Sequence, residues 1–279
     1  MRCRGKAAKK EKTEMKKLVA LVCSLVLLVS GMALFAGCGA DNSQDWEEIK
    51  EKGTLVVGCT IFKPITYQEG EEWKGFDVEV AQAVGEKLGV DVDFQIIDWN
   101  NKVIELNAKT VDCLWNGMTI TDELEEQTSV TVPYMKNQQV VITQKANESV
   151  YTTKESLKDA RVVAESGSAG AAFGREYSDH FTTAPSQLDI FINLIGNPPT
   201  ADVGILDSVL AGYYLTEEAY QGLTMIDVGF EEEEYGIAFR KGSPVKDLVN
   251  DALKELYADG TITRIAEDYG LVNELIPIE

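Results

Sequence analysis

VDCLWNGMTITDEL, residues 111–124, decides how this chain folds. Val111 to Trp115 is a mostly apolar run of strand length. Gly117 breaks it, two Thr follow, and acids begin at Asp122. A strand passing through a tight turn into a helix start has this form. Asp122, Glu123, Glu125 and Glu126 crowd the start of the helix with no Lys or Arg in 115–127. Carboxylates suit a helix N-terminus, so these acids read as helix-end and solvent-facing groups.

The same step repeats on both sides. LVVGCT (55–60) is a buried strand, FDVEVAQAVGEKLG (76–89) an amphipathic helix, VDVDFQIID (90–98) a strand and NNKVIELNAKT (100–110) a short helix. QQVVIT (138–143) is another strand. A second series follows, with a strand at 161–166, a helix over 169–177, a helix over 186–196, a strand at 201–207 and a helix after it. Two strand-like pieces, TMIDVGF and YGIAFRK, precede terminal helices over 244–258 and 261–268. Strands alternating with helices imply mostly parallel sheets covered on both faces, and two series imply two α/β lobes. Ligands in such folds sit beyond the C-terminal ends of the strands. That rule selects TIFKP (60–64), DWNN (98–101), WNGMTIT (115–121), ESGSAG (165–170) and ILDS (205–208).

Composition bounds the function. The chain has 279 residues, 44% apolar and 26% charged, which is the make-up of a globular protein. Residues 1–37 differ: eight Lys and Arg precede the apolar run 18–37, which reads as a secretory signal peptide, with an uncleaved membrane anchor as the competing reading. FAGC (35–38) resembles the lipobox of bacterial lipoproteins, which implies a diacylated Cys38 and a polar tether over 38–48. Met15 begins a conventional signal start of its own. Without the eight basic and two acidic residues of 1–37, the chain carries 18 Lys and Arg against 44 Asp and Glu, a net charge of −26. Nucleic acid and anionic membrane surfaces are excluded as partners, since both need a basic surface. Cys59 and Cys113, each within an apolar strand, read as buried free thiols, with a disulfide as the alternative. A single His180 and the lack of a CxxC pair argue against a metal site, and no hydrolase triad is present.

Several strand ends carry chemistry. ESGSAG turns into a helix whose first N–H groups, with Ser168, suit an anion such as a carboxylate; a plain tight turn is the competing reading. Asp207 ends an apolar strand, where it either caps the next helix or pairs with a ligand ammonium; the residue alone favours the cap. Phe62, Tyr67, Trp99 and Trp115 lie at or near strand ends, where aromatic side chains are core or pocket walls.

The order of motifs then becomes specific. GTLVVGC, KGFDVEVAQAVGEKLGV, VDCLWNGMTIT, VPYMKNQQVVI, VVAESGSAG, ADVGILDSVLAGYYL and YGIAFRKGS resemble family 3 bacterial extracellular solute-binding proteins, the amino-acid receptors of ABC importers. The resemblance covers about 50–270. It implies a two-lobe, periplasmic-binding-protein-like (type II) α/β fold that closes over its ligand about two hinge strands. Lobe 1 would span 45–141 plus 236–279 and lobe 2 would span 146–230, with hinges near QQVVITQK and EEEEYGIAF. It implies Phe62 and Trp99 as aromatic partners of the ligand. Trp115, Asn116, Gly117 and Thr119 would form the lobe-1 loop, with Gly117 and Thr119 meeting the ammonium. Ser168 and the N–H groups around Ala169 would take the carboxylate, and Asp207 would pair with the ammonium.

Two positions depart from the pattern. The family reads T-I-T-x-x-R, with the Arg forking onto the ligand carboxylate, and here the sixth residue is Leu124. Glu165 stands where some relatives carry Lys. The cleft is therefore expected to hold acids without an obvious base, unless Lys63 reaches in from its loop; otherwise Leu124 only packs. The resemblance implies an extracytoplasmic, lipid-anchored monomer that delivers a small polar solute, an amino acid or a related amine, to an ABC permease and its ATPase, without cofactor or metal. The lost Arg makes an amine or other cationic small molecule the alternative ligand. Cyclohexadienyl dehydratases share the scaffold but also need a base for their substrate, so an enzyme is not expected. A sensor subunit docking to a membrane receptor is a third reading.

Overall fold

A computed structural model describes residues 41–278. The segment expected to be a signal peptide and the expected lipid site, Cys38, lie outside the described residues. Asn42–Glu279 forms one compact unit. Among the described residues no helix is long and apolar enough to cross a membrane.

Ten strands join in one sheet, eight of them in a single path with two short strands paired beside it. β1 (Thr54–Cys59) runs parallel to β4 (Asp91–Ile96) on one side and to β5 (Cys113–Thr119) on the other. β2 (Tyr67–Glu69) and β3 (Glu72–Lys74) form a separate hairpin. Further along the chain come β6 (Thr128–Val130), β7 (Met135–Gln144), β8 (Arg161–Glu165), β9 (His180–Ala184), β10 (Val203–Asp207), β11 (Leu223–Ile226) and β12 (Glu232–Arg240). β9, β8 and β10 make the second parallel block. Two long antiparallel strands, β12 and β7, lie between the blocks. β7 pairs with β12 through Met135–Gln138 and with β10 through Gln139–Thr143, so it passes from one block to the other. The architecture is two α/β lobes joined by crossing strands.

The sequence accounts for these elements. β10 is buried at all five positions, as a parallel strand covered on both faces must be. β5 alternates faces: Cys113 and Trp115 enter the main core, while Leu114 and Met118 enter a smaller core with Trp99 and Leu124. Helices α1 (Asp45–Lys52), α2 (Phe76–Leu88), α3 (Lys102–Asn107) and α4 (Asp122–Gln127) belong to the N-terminal half. α5 (Ala169–Tyr177), α6 (Gln187–Ile195) and α7 (Ser208–Tyr214) cover the second block; α8 (Val245–Ala258) and α9 (Thr261–Tyr269) return to pack on α2. Side-chain oxygens of Thr121, Ser168 and Ser186 accept from backbone N–H groups at the starts of α4, α5 and α6.

The structure corrects one expectation, adds elements and agrees with another. The tether expected over 38–48 overlaps ordered structure, because α1 begins at Asp45 and buries that residue against Arg240. The β2–β3 hairpin and β9 went unread. Both have weakly buried, polar patterns that give little periodic signal. Cys59 and Cys113 are buried free thiols, as expected.

Candidate functional site

A cleft of about 500 Å³ opens where the C-terminal ends of β5, β8 and β10 meet the loop after β4. Its floor is built on Asp207, which is 4% exposed. Asp207 precedes α7 at the capping position, yet its side chain makes no capping bond. The carboxylate accepts from Gln139 Nε2 at 2.9 Å, from Tyr235 Oη at 3.0 Å, and from the amides of Asn137 and Gln187. The cap reading of this residue is thereby overturned. Burial, with the charge of Glu233 behind it, pushes the Asp207 carboxyl up to about 7.

Glu233 sits on β12 beside this floor. It accepts from Thr119 Oγ1 at 3.0 Å, Gln139 Nε2 at 3.0 Å and Asn137 Nδ2 at 3.1 Å. Each of the two amides on β7 therefore donates to both carboxylates. The crossing strands hold this network, so the floor of the cleft and the connection between the lobes share the same hydrogen bonds. Nothing in the sequence reading pointed to Glu233, Asn137 or Gln139. Asn137 and Gln139 lie in a run of four polar residues, 136–139, and Glu233 in a run of acids, so the local pattern singles none of them out.

The near wall is the loop quoted at the outset. Gly117 has φ +55°, and its N–H donates to Asp77 Oδ2 at 2.7 Å. Asp77 is fully buried, also accepts from Tyr134 Oη, and is pushed by burial up to about 7. A Cβ on Gly117 would lie 2.6 Å from the Phe62 ring. Asn116 and Thr119 line the cleft, with the Asn116 amide 2.8 Å from Thr60 Oγ1. Phe62 and Trp115 do not line it. Both are buried in the main core, Phe62 edge-on to Tyr235. Tyr67 is also outside the cleft, so of the four strand-end aromatics only Trp99 forms a wall.

Leu124 is 8% exposed and packs with Trp99, Ile97 and Met118 on one side of the cleft. Glu165, Ser168 and Ala169 line the opposite side. Ser168 Oγ is engaged at the start of α5, accepting from Ala171 N and donating to Glu165 O at 2.8 Å.

The cleft is not without bases. Lys102, one turn beyond Trp99, lines it; its Nζ lies 5.1 Å over the Trp99 ring and donates to Gly167 O at 2.7 Å. Arg175 of α5 lines it as well. Lys63 is elsewhere, its Nζ 5.0 Å over Tyr67 and 5.7 Å over Tyr213. The expectation of a base-free cleft served by Lys63 is corrected: the bases are Lys102 and Arg175. Burial lowers the Lys102 pKa, against the pull of Glu165 and Glu123. Lys102 also bridges the two sides, as does Ser166, whose Oγ is 3.2 Å from Asn100 Oδ1. Gly167, at φ +75°, passes so close that a Cβ there would sit 2.7 Å from Asn100 Cα.

Two parallel blocks, two crossing strands and a closed polar cleft at the strand ends define a two-lobe solute-binding protein. Residues 55–272 match the model of bacterial extracellular solute-binding proteins, family 3, and the chain belongs to that family. It is similar to the arginine-binding extracellular protein ArtP of Bacillus subtilis, at 31% identity over 88% of this chain and 96% of the relative. The L-cystine-binding protein TcyJ of Escherichia coli is 30% identical, over 88% of this chain and 91% of its own length. Among solved structures, an ABC uptake transporter substrate-binding protein from Streptococcus pneumoniae with bound histidine superposes with a TM-score of 0.75. It shares 28% identity and covers 82% of this chain and 97% of its own. The ancestral amino-acid-binding protein AncCDT-1, a precursor of cyclohexadienyl dehydratase, gives 0.73 at 29% identity, over 80% of this chain and 98% of its own.

Proposed function

We propose that this chain is an extracytoplasmic receptor that captures a small ammonium-bearing solute, an amino acid or a related amine, and passes it to an ABC permease and its ATPase. The observation that carries this reading is Asp207: a buried carboxylate on the floor of a cleft, held by four neutral donors and, among the described residues, by no cation. A ligand ammonium supplies the missing positive charge. Lobe 1 is assigned to 45–141 plus 236–279 and lobe 2 to 146–230, with the lobes closing about β7 and β12. Gly117 and Thr119 meet the ammonium from lobe 1, and Trp99 walls the rest of the ligand. Ser168, the N–H groups around Ala169, and Lys102 offer the place for a carboxylate. Cys38 anchors the monomer to the membrane through lipid, and the protein is a receptor without a catalytic role, cofactor or metal. Relatives that bind arginine, cystine and histidine support an amino-acid ligand.

One observation favours the amine alternative. Leu124, packed on Trp99, puts an apolar surface where a fork of charge-assisted hydrogen bonds would hold a carboxylate. A thermal-shift panel of amino acids and of the matching decarboxylated amines, run on wild type and on Leu124→Arg, separates the two. Leu124→Arg should raise the preference for amino acid over amine by roughly tenfold or more, the effect of a gained charge-assisted pair. Wild type stabilised more by amines than by amino acids supports the alternative; no stabilisation by either class contradicts the receptor reading.

A further inference from the structure

Glu165 is a second acid in the same cleft, and it differs from Asp207 in one respect. It ends β8, is 2% exposed and lines the cleft, yet its Oε1 has no hydrogen-bond donor among the described residues. Asp207, by contrast, is held by four donors. A buried carboxylate oxygen left without a donor is costly, so such an oxygen at a ligand cleft marks where a ligand donor belongs.

The bases nearby do not fill that place. Lys102 directs its ammonium to Gly167 O at 2.7 Å and to Trp99 O at 3.4 Å. Arg175 bonds Ala171 O at 3.3 Å and lies 5.5 Å over the Phe181 ring. The charges facing Glu165 are Asp207 at the end of β10, Asp189 on α6 and Lys102 on α3, and the Gln187 side chain lies beside it. Glu233 adds its charge behind Asp207. Two carboxylates thus share one side of the cleft with one buried ammonium opposite. A ligand with a single ammonium serves Asp207 and leaves Glu165 unmatched.

We propose that Glu165 is a second cation subsite, so that the ligand of this cleft carries two cationic nitrogens, as in a diamine or a diamino acid. The proposal rests on the receptor reading of the cleft. Desolvation, with Asp207 beside it, pushes the Glu165 carboxyl up to about 8, so the empty cleft holds a proton there near neutral pH. A ligand cation arriving at Glu165 displaces that proton to solvent, and binding is coupled to its release.

The test is calorimetric titration of the full protein with lysine against norleucine and with 1,4-diaminobutane against butylamine, at about pH 7 in two buffers of different ionisation enthalpy. These pairs differ by one amino group. Wild type should prefer the two-nitrogen member by on the order of tenfold or more and release protons as it binds. Glu165→Gln should bring each pair to within about threefold and reduce the proton release, while still binding the monoamines. A role of Glu165 in folding alone would weaken both members of a pair equally. Equal affinity within each pair on wild type, or a preference that survives Glu165→Gln, overturns the proposal and leaves the receptor reading standing. No heat with any of the four probes contradicts both.

Discussion

Gly117 carries more of the site than its size suggests. Its left-handed backbone turns β5 out of the sheet, its N–H is held by Asp77, and the Phe62 ring fills the space a side chain would need. Gly117→Ala adds a strained φ, costing about 1–2 kcal/mol, and a contact of 2.6 Å with a buried ring. The variant should lose about 2 kcal/mol or more of stability in a denaturant titration and bind its ligand at least about tenfold more weakly. A Gly117→Ala protein of unchanged stability and affinity would show that the loop is free to re-form. At this scale the sequence was partly legible. Strand-end position selected Trp99, Asn116, Thr119, Glu165, Ser168, Ala169 and Asp207, and the family pattern selected Leu124; all of them line the cleft. Phe62 and Trp115 were selected by the same rule and face the core instead: Trp115 lies on the core face of β5, an alternation the rule ignores, and Phe62, in the turn beyond β1, packs edge-on to Tyr235. Lys102 was missed because it lies on α3, one turn beyond the strand end, and reaches the cleft through the length of its side chain.

Among the elements, α1 shows how a polar stretch is drawn into the fold. DWEEIKEK reads as solvated, but Asp45 at its start meets Arg240 at the end of β12, 195 residues away. Arg240 Nε donates to Asp45 Oδ2 at 2.8 Å, and its Nη1 donates to the carbonyls of Val111 at 2.8 Å and Leu106 at 3.0 Å. Both side chains are buried, so the pair forms only when the C-terminal strand has returned to the first block. A pair of that separation leaves no trace in local periodicity, which is why α1 was taken for tether. Asp45→Ala leaves Arg240 with a weaker set of partners and should cost about 3 kcal/mol, read from the midpoint of chemical denaturation. A change below about 0.5 kcal/mol would mean that α1 is docked by its apolar contacts alone. The crossing strands β7 and β12 were legible as strands. Their polar side chains were not legible as a network, since Asn137, Gln139 and Glu233 meet only through strand pairing and the approach of β10.

On the scale of the whole molecule, the two lobes and the cleft between them follow from a topology that the alternation of strands and helices announced. The chain is strongly acidic, and Asp207, Glu165 and Glu233 gather acids at the cleft, which suits the cationic solute proposed above. Lys102 of one side donates to Gly167 O of the other, so a contact across the rim accompanies the floor network on the crossing strands. The central claim is that an ammonium-bearing solute is bound between the lobes on Asp207. Calorimetric titration of wild type and Asp207→Asn with lysine, arginine, histidine and cystine tests it most directly. The account predicts one-to-one binding of at least one of them by wild type, weakened on the order of 30-fold or more by Asp207→Asn. Binding that is equally tight in Asp207→Asn, or no binding by wild type of any of the four or of their decarboxylated amines, would contradict it.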